Sequence, residues 1–282
     1  MKDKILLLGS SGLLGSALNK ALTGHAQVLT PSRFDLNLTD LDALETYIKA
    51  YKPSLIINAA GMVSAQQCEH NADQAFKLNT DLPAKLAQLS KAQGSTLVHF
   101  SCLDVYGDES KVRSLSSCTE NTPTNPQNIY AESKLLGDNA VAEHAEDYLI
   151  FRLSGLYSKQ DLSVKNERPP IVIGAPTSAE YVAVTVMRSL ERVDRGVIRV
   201  HPGVYHLSTK GDACWQEFYR EVAMLRQNRQ LLINSPSLVT KDSRLSMDKV
   251  EDTFCLLVPS WRSQLTSIIT DPKDFAKAVG QH

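Results

Sequence analysis

The sequence lacks any apolar run near the roughly 18 residues that a membrane-spanning helix needs. Its opening, "MKDKILLLGSSG", reads as a strand entering glycines, not as a secretory leader. It also lacks an excess of either charge. Thirty Lys and Arg against 31 Asp and Glu leave a net charge of −1, which argues against a strongly electrostatic nucleic-acid or membrane partner. Cysteines are few: Cys68, Cys102, Cys118, Cys214 and Cys255 are odd in number, scattered, and without a CxxC pair. That usage suits reduced thiols in the cytoplasm and offers no metal-ligand spacing, so no metal site is expected. No internal repeat or low-complexity stretch interrupts the chain. What remains is a cytoplasmic globular protein of 282 residues, 43% apolar, long enough for one large α/β domain with a smaller lobe.

Apolar runs alternate with helical patterns through the first half. Lys4 to Gly9, "QVLT", "SLIINAA", "STLVHFS" and Asp147 to Ser154 read as strands. Gly12 to Leu22, Leu41 to Tyr51, Gln74 to Gln93 and Tyr130 to His144 read as helices between them. Non-alternating apolar strands joined by helices predict a doubly wound parallel sheet of the Rossmann type, covered on both faces. The pattern changes beyond Tyr157, where a polar loop with a Pro-Pro precedes the helix "SAEYVAVTVMRSLERV", the strand "VYHLS" and two further helices. The expected division is a dinucleotide-binding domain over 1–157 and a smaller α/β substrate lobe over 158–282, interleaved with the last strands of the sheet.

Ligands of such sheets sit at the carboxyl ends of the strands. There the first strand delivers Gly9, Gly12 and Gly15, a GxxGxxG turn into the first helix. Small residues at that turn let backbone approach a pyrophosphate at a helix N-terminus, although glycines there can also be purely conformational. After the second strand comes Arg33, suited to the extra phosphate of NADP, with Asp35 as the competing carboxylate. NADP(H) is therefore the preferred cofactor and NAD(H) the second choice. "NAAG", Asn58 to Gly61, ends the third strand with small residues where bulk would meet a dinucleotide, or where a turn simply wants them. Asn79 either bridges backbone groups near the fourth strand or interrupts a helix. Tyr130 and Lys134 share one helix face four residues apart. A nearby ammonium should lower the phenol's pKa and make Tyr130 a proton donor and acceptor.

These segments resemble an extended short-chain dehydrogenase/reductase of the dTDP-4-dehydrorhamnose reductase-like group. The likeness runs through "GSSGLLG", "INAAG", "AFKLNTDLPAKLA", "VHFSCLDVYGD", "YAESKLLGD" and "FRLSGLY", then "GAPTSAE", "VYHLS" and "SRLSMDKV" with "LVPSW". It implies hydride transfer from NAD(P)H to the keto carbon of a nucleotide-linked sugar, with Tyr130 giving the proton and Lys134 orienting the ribose. The family's Ser or Thr hydroxyl, which holds the carbonyl oxygen, falls on Cys102. The catalytic set is thus Tyr130, Lys134 and Cys102. The cofactor set is Gly9, Ser11, Gly12, Leu13, Leu14, Gly15, Arg33, Asn37, Leu38, Asn58, Ala59, Ala60 and Ser101, with Tyr130 and Lys134.

Against the family pattern, substrate-side residues are altered more than cofactor residues. Leu103 replaces an aspartate, Gly155 an aromatic, Gln66 another aspartate with Glu69 retained, and Ile171 and Val172 a polar pair. The segment between Tyr157 and Ile171 looks shortened. A thiol is a weak donor, so Cys102 implies a slow reductase, one that uses Ser101 or water, or no reductase at all. A nucleophilic Cys102 lacks an evident histidine partner. Two functions follow: an NAD(P)H-dependent reductase of a carbonyl substrate, or a non-catalytic NADP-binding regulatory subunit similar to the beta subunit of methionine adenosyltransferase. An epimerase or dehydratase is a weaker third, because Leu103 is apolar and Asp104 is displaced by one. The partners compatible with this are a small carbonyl compound such as a sugar nucleotide, and a second copy of the chain or a regulated protein.

Overall fold

The computed structural model describes residues 4–107, 117–159, 162, 172–199, 201–226, 241–242 and 244–270. Ile171 and most of the segment expected to be short lie outside the described residues. β1 (Lys4–Leu8) leads into α1 (Leu13–Leu22), followed by β2 (Gln27–Leu29), α2 (Leu41–Tyr51) and β3 (Leu55–Asn58). Then come α3 (Ala65–His70), α4 (Ala72–Phe76), α5 (Leu82–Gln93), β4 (Thr96–Cys102), α6 (Ile129–His144) and β5 (Tyr148–Leu153). The second half contributes β6 (Leu156–Tyr157), β7 (Val172–Ile173), β8 (Thr177–Ser178), α7 (Ala179–Asp194) and β9 (Gly203–Leu207). It ends with α8 (Trp215–Leu225), β10 (Lys241–Asp242), α9 (Asp248–Phe254) and α10 (Trp261–Thr270).

The main sheet has six parallel strands in the order β2-β1-β3-β4-β5-β9. Its strands are largely apolar because both faces are covered. Ile5, Leu7, Ile57, Val98 and Phe151 pack into one core, beneath α1 and α7, while Leu6, Leu8, Ile56, Leu97 and Ile150 pack into a second, beneath α2 and α5. The order reverses between β1 and β3, and the cleft at that switch point is where such sheets hold ligands. β9, from the second half of the chain, closes the far edge of the sheet beside β5.

The helix expected over Gln74 to Gln93 is broken in one place. α4 and α5 are joined by a π-helical turn over Lys77–Asp81, in which the Leu82 N–H reaches back to Lys77 O. Pro83 has no N–H to give to Asn79 O, four residues earlier, so the turn widens there. The released carbonyl lies against α6 at Gly137, where a Cβ would sit 2.1 Å from Asn79 O. The Asn79 side chain also bridges. Its Oδ1 accepts from Met62 N at 2.9 Å, and its Nδ2 donates to Met62 O at 2.9 Å and Ser133 Oγ at 3.0 Å. Asn79 thus both interrupts the α-helix and ties the loop after β3 to α6.

Candidate active site

The strand ends open into one cavity of about 570 Å3. On one side lie Gly12, Leu13 and Leu14 at the start of α1, then Asn58 to Gly61 after β3. Tyr130 and Lys134 from α6, Ser101 and Cys102 from the end of β4, and Asp104 in the turn after it carry titratable and hydroxyl groups of the lining. Gly9 and Gly15 lie behind this wall and make the turn: Gly9 has φ +77°, and a Cβ on Gly15 would come within 2.0 Å of Gly9 O. Gly12 is different. A Cβ there would meet only Gly9 O at 3.4 Å, so packing within the protein does not demand glycine, whereas close approach by a ligand would. α1 has no side-chain N-cap, and its first-turn amides face the cavity unpaired within the helix. The cradle fits a dinucleotide's diphosphate.

Other expected cofactor residues lie outside the cavity lining. Ser11, Arg33 and Asn37 are exposed, and Leu38 packs in the second core. Asn37 Oδ1 accepts from Thr39 N and Thr39 Oγ1, a local turn. Asp35, the competing ribose reader, is turned onto Ser32. Its Oδ2 accepts from Ser32 N at 2.9 Å and Ser32 Oγ at 2.7 Å, which hold its carboxyl below the usual range. Asn58 is buried, with Oδ1 accepting from Ala60 N and Nδ2 donating to His99 Nδ1, each at 3.2 Å.

α6 positions Tyr130 and Lys134, the pair expected to be catalytic. Asn128 Oδ1 accepts from Ala131 N and Glu69 Oε1 from Ile129 N, both at 2.8 Å, so the helix carrying Tyr130 is doubly capped. One turn in, buried Lys134 donates from Nζ to Phe100 O at 2.5 Å. The Tyr130 hydroxyl is a hydrogen-bond partner of Cys102. Burial pushes the Cys102 thiol up to about 12, so it stays protonated and is no nucleophile at neutral pH. Tyr130 corrects the expectation from its Lys134 neighbour. Burial, with Cys102 second, raises the phenol well above its ordinary value, and burial lowers Lys134. Tyr130 is accordingly held as a protonated phenol. Ser101 lies instead beside Asp138, whose carboxyl it helps to lower against the larger opposing effect of burial.

Much of the remaining lining is apolar, formed by Val63, Leu103, Leu156, Gly155, Ala175, Pro176 and Ala213. A hydroxyl cluster fixes part of it. Ser154 Oγ donates to Ala175 O at 2.6 Å, and Thr209 Oγ1 donates to Pro176 O at 3.0 Å. Sequence reasoning singled out Leu103 and Gly155 but not Ala213, which the fold brings in from the loop before α8.

A doubly wound sheet whose glycine turn leads into a helix N-terminus at the cavity, and whose fourth strand faces a Tyr-x-x-x-Lys helix, is the architecture of an extended short-chain dehydrogenase/reductase. Within that class the chain belongs to the RmlD substrate binding domain family, whose model matches residues 3–273. It is similar to the dTDP-4-dehydrorhamnose reductase of Burkholderia thailandensis, 29% identical over 95% of this chain and 98% of that one. The protein of the same name from Sinorhizobium fredii is 26% identical over 94% and 96%. The solved dTDP-4-dehydrorhamnose reductase of Bacillus anthracis, in complex with NADP, shares the fold with a TM-score of 0.82 at 23% identity, covering 96% of this chain and 98% of that one. Among the described residues no helix is long and apolar enough to cross a membrane.

Proposed function

We propose that this protein is an NADPH-dependent reductase whose substrate carries a keto group on a nucleotide-linked sugar. The observation that carries the reading is the convergence of the α1 N-terminus, Tyr130 and Lys134 on one cavity. The names of the similar reductases and the NADP in the Bacillus anthracis structure point the same way. NADPH, when bound, supplies a hydride. Residues 1–157 would hold it, with the Gly12 to Leu14 amides on the diphosphate, Lys134 on a ribose hydroxyl and Arg33 on the added phosphate. Residues 158–282 add Gly174 to Pro176 and Ala213 to the substrate wall. Tyr130 keeps its proton until a carbonyl oxygen gains negative charge, then donates it. Cys102 contributes a weak S–H donor beside it.

Cys102 is also the observation that favours a second reading, a cofactor-binding regulatory subunit that does not turn over substrate. The deciding experiment follows NADPH oxidation with a panel of 4-keto sugar nucleotides and simple ketones, while fluorescence reports NADPH binding. The reductase reading expects turnover that falls at least about a hundredfold in Tyr130→Phe with NADPH binding retained. Tight NADPH binding without turnover across the panel would favour the regulatory subunit.

A further inference from the structure

A line of buried polar groups crosses the sheet behind the cavity, on the face covered by α6. Ser101, Arg152 and His206 are register neighbours across β4, β5 and β9. Asp138 on α6, one turn beyond Lys134, sits over them. Arg152 Nε donates to Asp138 Oδ2 at 3.0 Å, and Arg152 Nη1 donates to Tyr106 OH at 2.8 Å. Tyr106 OH meets His206 Nε2 at 2.6 Å, and the other ring nitrogen of His206 lies 3.2 Å from Ser246 O. Glu120 Oε1 accepts from His206 N at 2.8 Å and ends the line. Lys134, Asp138, Arg152 and Glu120 alternate in sign along it, and all four side chains are buried.

We infer that Asp138 is a positioning residue, the counter-charge between two buried cations that keeps Lys134 an ammonium beside Tyr130, itself held in place by Arg152, Tyr106 and His206. The inference rests on the reading of Tyr130 and Lys134 as the proton-transfer and ribose-holding pair. Its logic is electrostatic. A buried ammonium without an anion loses its proton, and a guanidinium does not. Without Asp138, Arg152 and Lys134 would be like charges in one dry space, and Lys134 would be the one to neutralise. The groups around Lys134 are Asp138 from α6 and Cys102, His99 and Phe100 O from β4, with Tyr130 and Asp104 beside it in the cavity lining. Of the two carboxyl groups, Asp138 is the one ion-paired with buried Arg152 and acting on Lys134. His99 takes its place as a neutral ring. Its Nδ1 accepts from Asn58, so its Nε2 carries the hydrogen and faces Asp138 Oδ1 at 3.8 Å. Burial lowers Lys134, and Asp138 acts against that.

The test reads Lys134 itself. Protein labelled with 13Cε-lysine, with the Lys134 resonance assigned by its loss in Lys134→Arg, is titrated by NMR without substrate or NADPH. The expected result is a charged Lys134 at pH 7.5 in the unaltered protein. In Asp138→Asn the titration should move down by about one pH unit or more, and Asp138→Glu should restore it. An unmoved titration in a folded Asp138→Asn protein would overturn the inference. So would a Lys134 already neutral at pH 7.5 in the unaltered protein, which decides the matter even where the variant does not fold. Absence of turnover on every ketone would count against the reductase reading and would leave this titration unaffected.

Discussion

At Cys102 a thiol stands against the Tyr130 hydroxyl where a stronger donor would polarise a carbonyl better. Restoring a hydroxyl should help, because one oxyanion donor commonly accounts for about two to three powers of ten in rate. Cys102→Ser is expected to raise kcat about tenfold or more on the best ketone of the panel, with the KM for NADPH little changed. An unchanged or lower kcat would mean that the carbonyl oxygen does not sit at Cys102. The thiol's own chemistry gives a second outcome. Held protonated by burial, Cys102 should resist iodoacetamide at pH 8 while exposed Cys255 reacts, as peptide mass spectrometry can show. The place of Cys102 was legible from "VHFSCLDVYGD" and the Tyr-x-x-x-Lys spacing after it. The direction of the Tyr130 shift was not, since spacing suggests an ammonium nearby but says nothing of how deeply the phenol is buried. Arg33 is the converse case. Its place after β2 comes from the sequence, and the structure adds that Asp35 is already engaged by Ser32 while Arg33 is exposed, which favours the proposed phosphate contact at Arg33.

α6 shows what local pattern reveals at the scale of an element and what it hides. Its expected span, Tyr130 to His144, agrees with the observed Ile129–His144 within one residue, because Asn128 and the apolar spacing are local signals. Its partners are not local. Glu69 caps it from α3 across 60 residues, and Asn79 O presses against Gly137 from a π-turn that only Pro83 foreshadows. Asn128→Ala should lower stability by about 1 kcal/mol in urea denaturation, the usual cost of an N-cap. Gly137→Ala should cost more, because its Cβ would sit 2.1 Å from backbone that cannot swing aside. The α1 turn offers the opposite contrast. Gly12→Ala should leave the urea midpoint nearly unchanged and weaken NADPH binding, whereas Gly15→Ala, 2.0 Å from Gly9 O, should destabilise the fold itself. Equal destabilisation by both would remove the argument that Gly12 is small for a ligand's sake.

The whole molecule is closed by β9, a strand recognisable in "VYHLS" whose neighbour in the sheet no local pattern names. Its register sets His206 beside Arg152 and thereby joins the second half of the chain to the polar line behind the active site. Burial lowers His206 from 6.5 to about 4, so the ring is neutral in the folded state down to that pH. Between those values the unfolded chain binds a proton that the folded one does not, so stability falls as pH drops from 6.5 toward 4. Protonation would also turn Nε2 into a donor and break its acceptance from Tyr106. His99, lowered by burial as well, adds to the same slope, whereas Asp138, raised by burial, has the opposite sign. Comparing one variant with the unaltered protein therefore isolates His206. Urea midpoints at pH 7 and pH 5 should differ less in His206→Gln than in the unaltered protein, even though the variant is less stable at pH 7. An identical pH difference in both would show that His206 is not the group through which acid loosens the junction between the two halves.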